Sequence, residues 1–280
     1  MNLRFVAVAL ALLALFPARA TENKTLRYRA TRFVIANGIK QQYADWGGKG
    51  ETLLLLAGLG NDAYVFDSFA SRFTDKFRVI GLTRRGFGGS DRPEGGYDTA
   101  TRVEDVRAFL DVLKIRRVYL VGHSLAGDEL TLFASKYPDR VLKLVYLDAA
   151  YNRYHHMTAV ASDPFIASTQ RAFSPSAVAC IRASDSFLMD YRGVKAPALA
   201  FYATATRHPM AARTTDPVKR KQLEAWWAAK IEARQRSSIE QFKREMRRGE
   251  VVEMPNAAHH LFLGPTQDQV VAKTRAFLLR

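Results

Sequence analysis

The chain has 280 residues, 48% hydrophobic and 25% charged, with 17 Gly, 10 Pro and a formal net charge of +15. That composition supplies a full apolar core and excludes a disordered, collagen-like or low-complexity chain. A single cysteine, Cys180, excludes an internal disulfide framework and a multi-thiolate metal site.

Residues 1–20 read as a targeting segment. Arg4 gives a positive start, Phe5 to Phe16 is an unbroken apolar run, and Ala18 and Ala20 place small residues at −3 and −1. This is the pattern of a secretory signal peptide cleaved after Ala20, which sends the mature chain to the periplasm or outside the cell. The run is too short to cross about 30 Å of hydrocarbon. No later window is long and apolar enough, so no membrane span is expected after cleavage. From Thr21 onward the chain carries 40 basic and 27 acidic side chains.

Two short strands are predicted over 32–47, broken at Asn37-Gly38, a hairpin signal. Leu53-Leu54-Leu55-Leu56 suits a strand buried on both faces. Helical spacing follows over 64–73, then a strand over 77–82 and a helix over 99–113. A strand over 117–121, a helix over 125–137 and a strand over 141–147 continue the alternation. The pattern is lost over 149–195 and resumes with a strand at 198–202. One long helix is predicted over 217–248, then a strand at 250–254 and a last helix at 267–279. The fold class is therefore α/β, a mostly parallel sheet with helices on both faces. Twelve basic and five acidic residues lie between Arg207 and Arg248. They read as the solvated face of the long helix, and no nucleic-acid motif accompanies them.

The chemistry enters where Val118-Tyr119-Leu120-Val121 runs into Gly122-His123-Ser124-Leu125-Ala126-Gly127. A strand enters a tight turn with serine at its apex, and a helix leaves it. Such a turn exposes the Ser124 hydroxyl and sets it at a helix N-terminus, which favours developing negative charge. The common form is G-x-S-x-G; here Ala126 stands at the fifth position and Gly127 follows. Asp128 and Glu129, in the first helical turn, read as favourable helix-dipole positions.

In these segments the chain resembles the α/β-hydrolase family, and the resemblance covers nearly all of residues 21–280. Leu55 to Asn61 looks like the family's oxyanion loop, with Ala57-Gly58 where His-Gly is usual. By position, the resemblance implies oxyanion donors at the backbone N–H groups of Leu59 and Leu125. Arg85-Gly86-Phe87-Gly88-Gly89-Ser90-Asp91-Arg92-Pro93 looks like the family's structural R-G-x-G-x-S-x-x-P loop. It lacks the Gly-Lys-Ser/Thr ending of a phosphate loop. The base is implied at His259, with His260 as the local alternative. The family most often sets its acid after the seventh strand, but Ala203-Thr204-Ala205-Thr206 holds no carboxylate. A branch that includes haloalkane dehalogenases sets it after the sixth, where Asp148 stands. Ser124, His259 and Asp148 are thus the expected triad. Residues 151–195 fall where family members insert a cap, with Tyr151, Tyr154, His155, Phe165, Phe173 and Phe187 as pocket or packing aromatics. Cys180 reads as a small buried hydrophobe.

The resemblance implies a serine esterase acting on a small carboxylic ester through an acyl-enzyme. No cofactor, metal or nucleic-acid partner is expected. Two alternatives stand beside it: a catalytically silent hydrolase fold used for binding, and a lyase or haloperoxidase on the same fold.

Overall fold

The structure is a computed structural model that describes residues 30–153, 174–204, 211 and 214–280. The expected signal peptide, Tyr154, His155, Phe165 and Phe173 lie outside the described residues.

β1 (Ala30–Ala36) and β2 (Ile39–Gly47) form an antiparallel hairpin in which Ala36 pairs with Ile39. Asn37 and Gly38 turn it with φ of 50° and 73°, the left-handed pair that a two-residue hairpin of this twist requires. β3 (Thr52–Leu56), β4 (Arg78–Leu82), β5 (Val118–His123), β6 (Val141–Leu147), β7 (Ala198–Thr204) and β8 (Gly249–Pro255) run parallel to one another. The eight-stranded sheet has the order β1-β2-β4-β3-β5-β6-β7-β8.

The two-residue period of a strand divides the four leucines of β3 between two cores. Leu54 and Leu56 join Leu120, Leu144, Phe109 and Phe133 on one face. Leu53 and Leu55 join Val121, Val145, Phe69 and Phe277 on the other. Burial on both faces explains why the central strands read as continuous apolar runs.

The α-helices among the described residues are α1 (Asp67–Ala70), α2 (Thr99–Val112), α3 (Ala126–Lys136), α4 (Pro175–Asp185), α5 (Pro217–Trp227), α6 (Ala233–Glu245) and α7 (Gln267–Leu279). Two of them differ from the sequence expectation. The segment predicted as a helix over 64–73 is a 3-10 turn at Ala63–Phe66 followed by the single turn α1. Its aromatics are drawn into a cluster, with Phe66–Phe262 and Phe69–Phe73 centroids each 4.8 Å apart. Core packing, not helical propensity, sets the backbone there.

The helix predicted over 217–248 is interrupted by a π-helical turn at Ala228–Glu232. The buried positions Leu223, Trp227, Ile231 and Gln235 recur every fourth residue. A 3.6-residue helix would rotate them out of register, and one wider turn restores it. Lys219, Arg220, Lys221, Lys230 and Arg236 are exposed on the outer side.

Candidate active site

Ser124 joins β5 to α3 with φ of 54°, a left-handed conformation that is strained for a residue with a Cβ. The flanking glycines leave no room for a side chain. A Cβ on Gly122 would lie 2.6 Å from Leu130 Cδ1, and one on Gly127 would lie 1.9 Å from the Ala149 carbonyl oxygen. The glycine that the turn cannot replace is therefore Gly127, and Ala126 is accommodated in the core. The Ser124 N–H donates to Leu147 O at 3.2 Å, which ties the turn to the end of β6.

Asp148 follows β6 directly, also at positive φ (49°). One carboxylate oxygen accepts from Ala203 N at 2.8 Å and from the Tyr151 hydroxyl at 2.5 Å. The other lies 2.6 Å from His259 Nδ1. A carboxylate can only accept, so Nδ1 carries the proton and Nε2 presents its lone pair. The structure thus brings His259, rather than His260, to Asp148.

His123, beside the serine, is fully buried. Its ring packs 4.5 Å from that of His259 and 4.6 Å from that of His260, centroid to centroid. Its Nε2 lies 3.1 Å from the His259 carbonyl oxygen, so Nε2 donates. Burial first, then the charges of His259 and His260, hold His123 well below the ordinary imidazole range. Burial and His259 likewise push His260 down to about 4.

Both depressed imidazoles take up protons more readily in the unfolded chain than in the folded one. Their stabilising contribution is complete above pH 6.5 and is lost as pH falls from 6.5 toward 4. The melting temperature is accordingly expected to drop between pH 7.5 and 4.5, and His260→Gln to flatten that drop. Melts recorded across this range decide it; an unchanged slope in the variant refutes the role given to His260.

The loop after β3 approaches the serine closely. A Cβ on Gly58 would stand 2.7 Å from His123 Nδ1 and 3.1 Å from Ser124 Cβ. Arg84 fixes the loop by donating to Ala57 O at 2.9 Å and to Gly58 O at 3.5 Å. The N–H of Leu59 lies on the same planar trans peptide as Gly58 O and points the opposite way, away from Arg84. Leu125 is the N-cap of α3, and both leucine side chains are buried.

Arg84 is held in turn by Glu129, with Nε–Oε1 at 2.6 Å and Nη2–Oε2 at 2.9 Å. Arg102 Nη1 reaches the same carboxylate at 2.9 Å. Burial works against the Glu129 charge, but the two guanidinium groups outweigh it and hold the carboxyl below its ordinary value. Its neighbour Asp128 pairs with Arg153 at 2.8 Å and accepts from the Ser184 hydroxyl. The helix-dipole reading of Asp128 and Glu129 is therefore insufficient. Both are buried anchors of the turn, and a run of two acids behind a core-facing position offered no sign of the arginines that fold back onto them. Glu129→Ala would leave two guanidinium groups buried without a counter-charge. It is expected to cost about 3–5 kcal/mol, measured by denaturant unfolding; an unshifted midpoint would contradict the anchoring role.

α4 covers the site. It packs Ala177, Cys180 and Ile181 against Leu59, Phe87 and Leu125. Cys180 is fully buried, and burial pushes its thiol above the ordinary range. Tyr151 packs edge-on to Tyr202 at 5.3 Å, and Phe187 packs at the margin of the core. Among the described residues, no cluster of three or more metal-ligating side chains occurs and no helix is long and apolar enough to cross a membrane.

A family model described as the alpha/beta hydrolase fold matches residues 51–190. The 2-(acetamidomethylene)succinate hydrolase of Mesorhizobium japonicum is 35% identical over 101 residues, 36% of this chain and 36% of that protein. The matched region thus spans about a third of the length of such curated relatives. A bacterial membrane phospholipase A superposes with a TM-score of 0.64 at 22% identity, covering 90% of this chain and 86% of that one. The enol-lactonase of Burkholderia xenovorans LB400 gives 0.64 at 20% identity, covering 89% and 100%. At these identities the two structures establish a shared fold.

Proposed function

The chain belongs to the α/β-hydrolase family, and from that premise we propose that it is a serine hydrolase cleaving a carboxylic ester, or a related acyl bond, in the periplasm or outside the cell. One observation carries the reading. A serine held at φ 54° stands at the end of β5, and on the neighbouring strand Asp148 holds His259 Nδ1 at 2.6 Å, leaving Nε2 free to act as a base.

In the proposed reaction, Ser124 Oγ attacks the acyl carbon while His259 Nε2 takes its proton. The Leu59 and Leu125 N–H groups donate to the oxyanion of the tetrahedral intermediate. Collapse breaks the bond to the leaving alcohol, which receives the proton from His259. Water, deprotonated by His259, then cleaves the acyl-enzyme, and the proton returns to Ser124. Asp148 keeps the imidazole in the required tautomer and stabilises its cationic form. Fluorophosphonate labelling and p-nitrophenyl esters from acetate to decanoate test this reading. Labelling mapped to Ser124 together with ester turnover is the expected result. Labelling without turnover would favour a lyase or haloperoxidase, and a folded protein that is not labelled would favour a silent binding fold.

A further inference from the structure

Arg234 is a half-buried cation beside the candidate site, and among the described residues no carboxylate forms an ion pair with it. It lies on α6, and its Nε is buried without a hydrogen-bond partner. No ion pair or hydrogen bond engages its guanidinium among the described residues. Its contact is the face of the Tyr151 ring, with Cζ 5.6 Å from the centroid. The hydroxyl of that same ring bonds Asp148. The next residue, Gln235, donates to Ala203 O at 3.0 Å, and the Ala203 N–H bonds Asp148. Arg234 is therefore pinned one tyrosine ring away from the proposed triad.

The second arginine nearby, Arg153, is fully engaged. It binds Asp128 and donates to the carbonyls of Ser124, Ala149 and Tyr151. That set makes it a brace for the serine turn. Arg234 has no such duty, and its charge faces the repulsion of Arg153. Burial and Arg153 lower its pKa to about 10, so it is still cationic at neutral pH. A half-buried guanidinium whose Nε has lost water without gaining a hydrogen-bond partner carries a desolvation cost. An incoming anion would remove that cost, and guanidinium matches a carboxylate in shape and charge. The net charge of +15 would also draw anions toward the protein.

We propose that Arg234 binds a carboxylate carried by the substrate, so that the enzyme acts on acidic acyl compounds such as half-esters of dicarboxylic acids. The turnover part of this inference rests on the serine-hydrolase reading; the binding part does not.

The test compares monomethyl glutarate with dimethyl glutarate, which share a skeleton and differ in the charge. The ratio of kcat/KM for the monoester over the diester is expected to fall about 10- to 100-fold in Arg234→Met, the range of a charged hydrogen bond. Arg234→Lys should recover part of it. A general loss of structure would lower both rates and leave the ratio in place. Calorimetry on Ser124→Ala supplies an arm independent of turnover. Monomethyl glutarate should bind that variant saturably and fail to bind Ser124→Ala/Arg234→Met. Binding by both variants, binding by neither, or an unchanged ratio overturns the inference. If the wild type hydrolyses neither ester while the calorimetric difference is seen, the anion site stands and the hydrolase reading falls.

Discussion

Ser124→Ala is expected to lower turnover of any accepted ester by about a millionfold, the scale on which loss of the nucleophile acts in a comparable triad. The substitution removes a single oxygen, and alanine meets the φ of 54° with the same Cβ that serine has. The Ser124 N–H bond to Leu147 O and the Arg153 bond to Ser124 O involve only the main chain, so the fold is expected to survive. The proposed base at His259 and the proposed donors at Leu59 and Leu125 remain, and what activity persists measures their contribution to catalysis by a bound water. The measurement is kcat/KM on the best p-nitrophenyl ester, with circular dichroism as the control for folding. More than about one hundredth of wild-type activity would be incompatible with an acyl-enzyme at Ser124.

Asp148→Asn is expected to reduce kcat/KM by about 10⁴-fold, following the tautomer logic of the serine proteases. The carbonyl oxygen of asparagine would retain the Ala203 N–H and Tyr151 hydroxyl bonds now made to one carboxylate oxygen. Its amide group would then face His259 Nδ1, where the carboxylate oxygen now lies at 2.6 Å. A donor in that place favours the tautomer with the proton on Nε2, which cannot accept from Ser124. The near-isosteric change leaves backbone and packing alone, so the melting temperature should move far less than the rate. Near-wild-type turnover would remove Asp148 from the mechanism and reopen the search for the acid.

Much of this protein was legible as sequence because the relevant information is local. The alternation of apolar runs with 3.6-residue spacing predicts the parallel sheet and its covering helices, and Asn37-Gly38 forms its hairpin where a left-handed pair is needed. The turn at Ser124 was readable because a strand, small flanking residues and a helix are contiguous. Asp148 and His259 are singled out by resemblance, but they are 111 residues apart, and only the pairing of β6, β7 and β8 brings the two loops together.

The elements, their periodicities and the chemical types at their ends follow from local sequence, because propensity and burial patterns act over a few residues. Tertiary structure alone decided the rest. It converted Asp128 and Glu129 from first-turn acids into buried anchors by bringing Arg84, Arg102 and Arg153 onto them. It wound a π turn into the predicted helix to keep every fourth residue against the core. It also left Arg234 half-buried against Tyr151 with no acid paired to it among the described residues. Each of these depends on which distant charge or surface arrives at a position, and that is set by the sum of packing and desolvation over the whole domain.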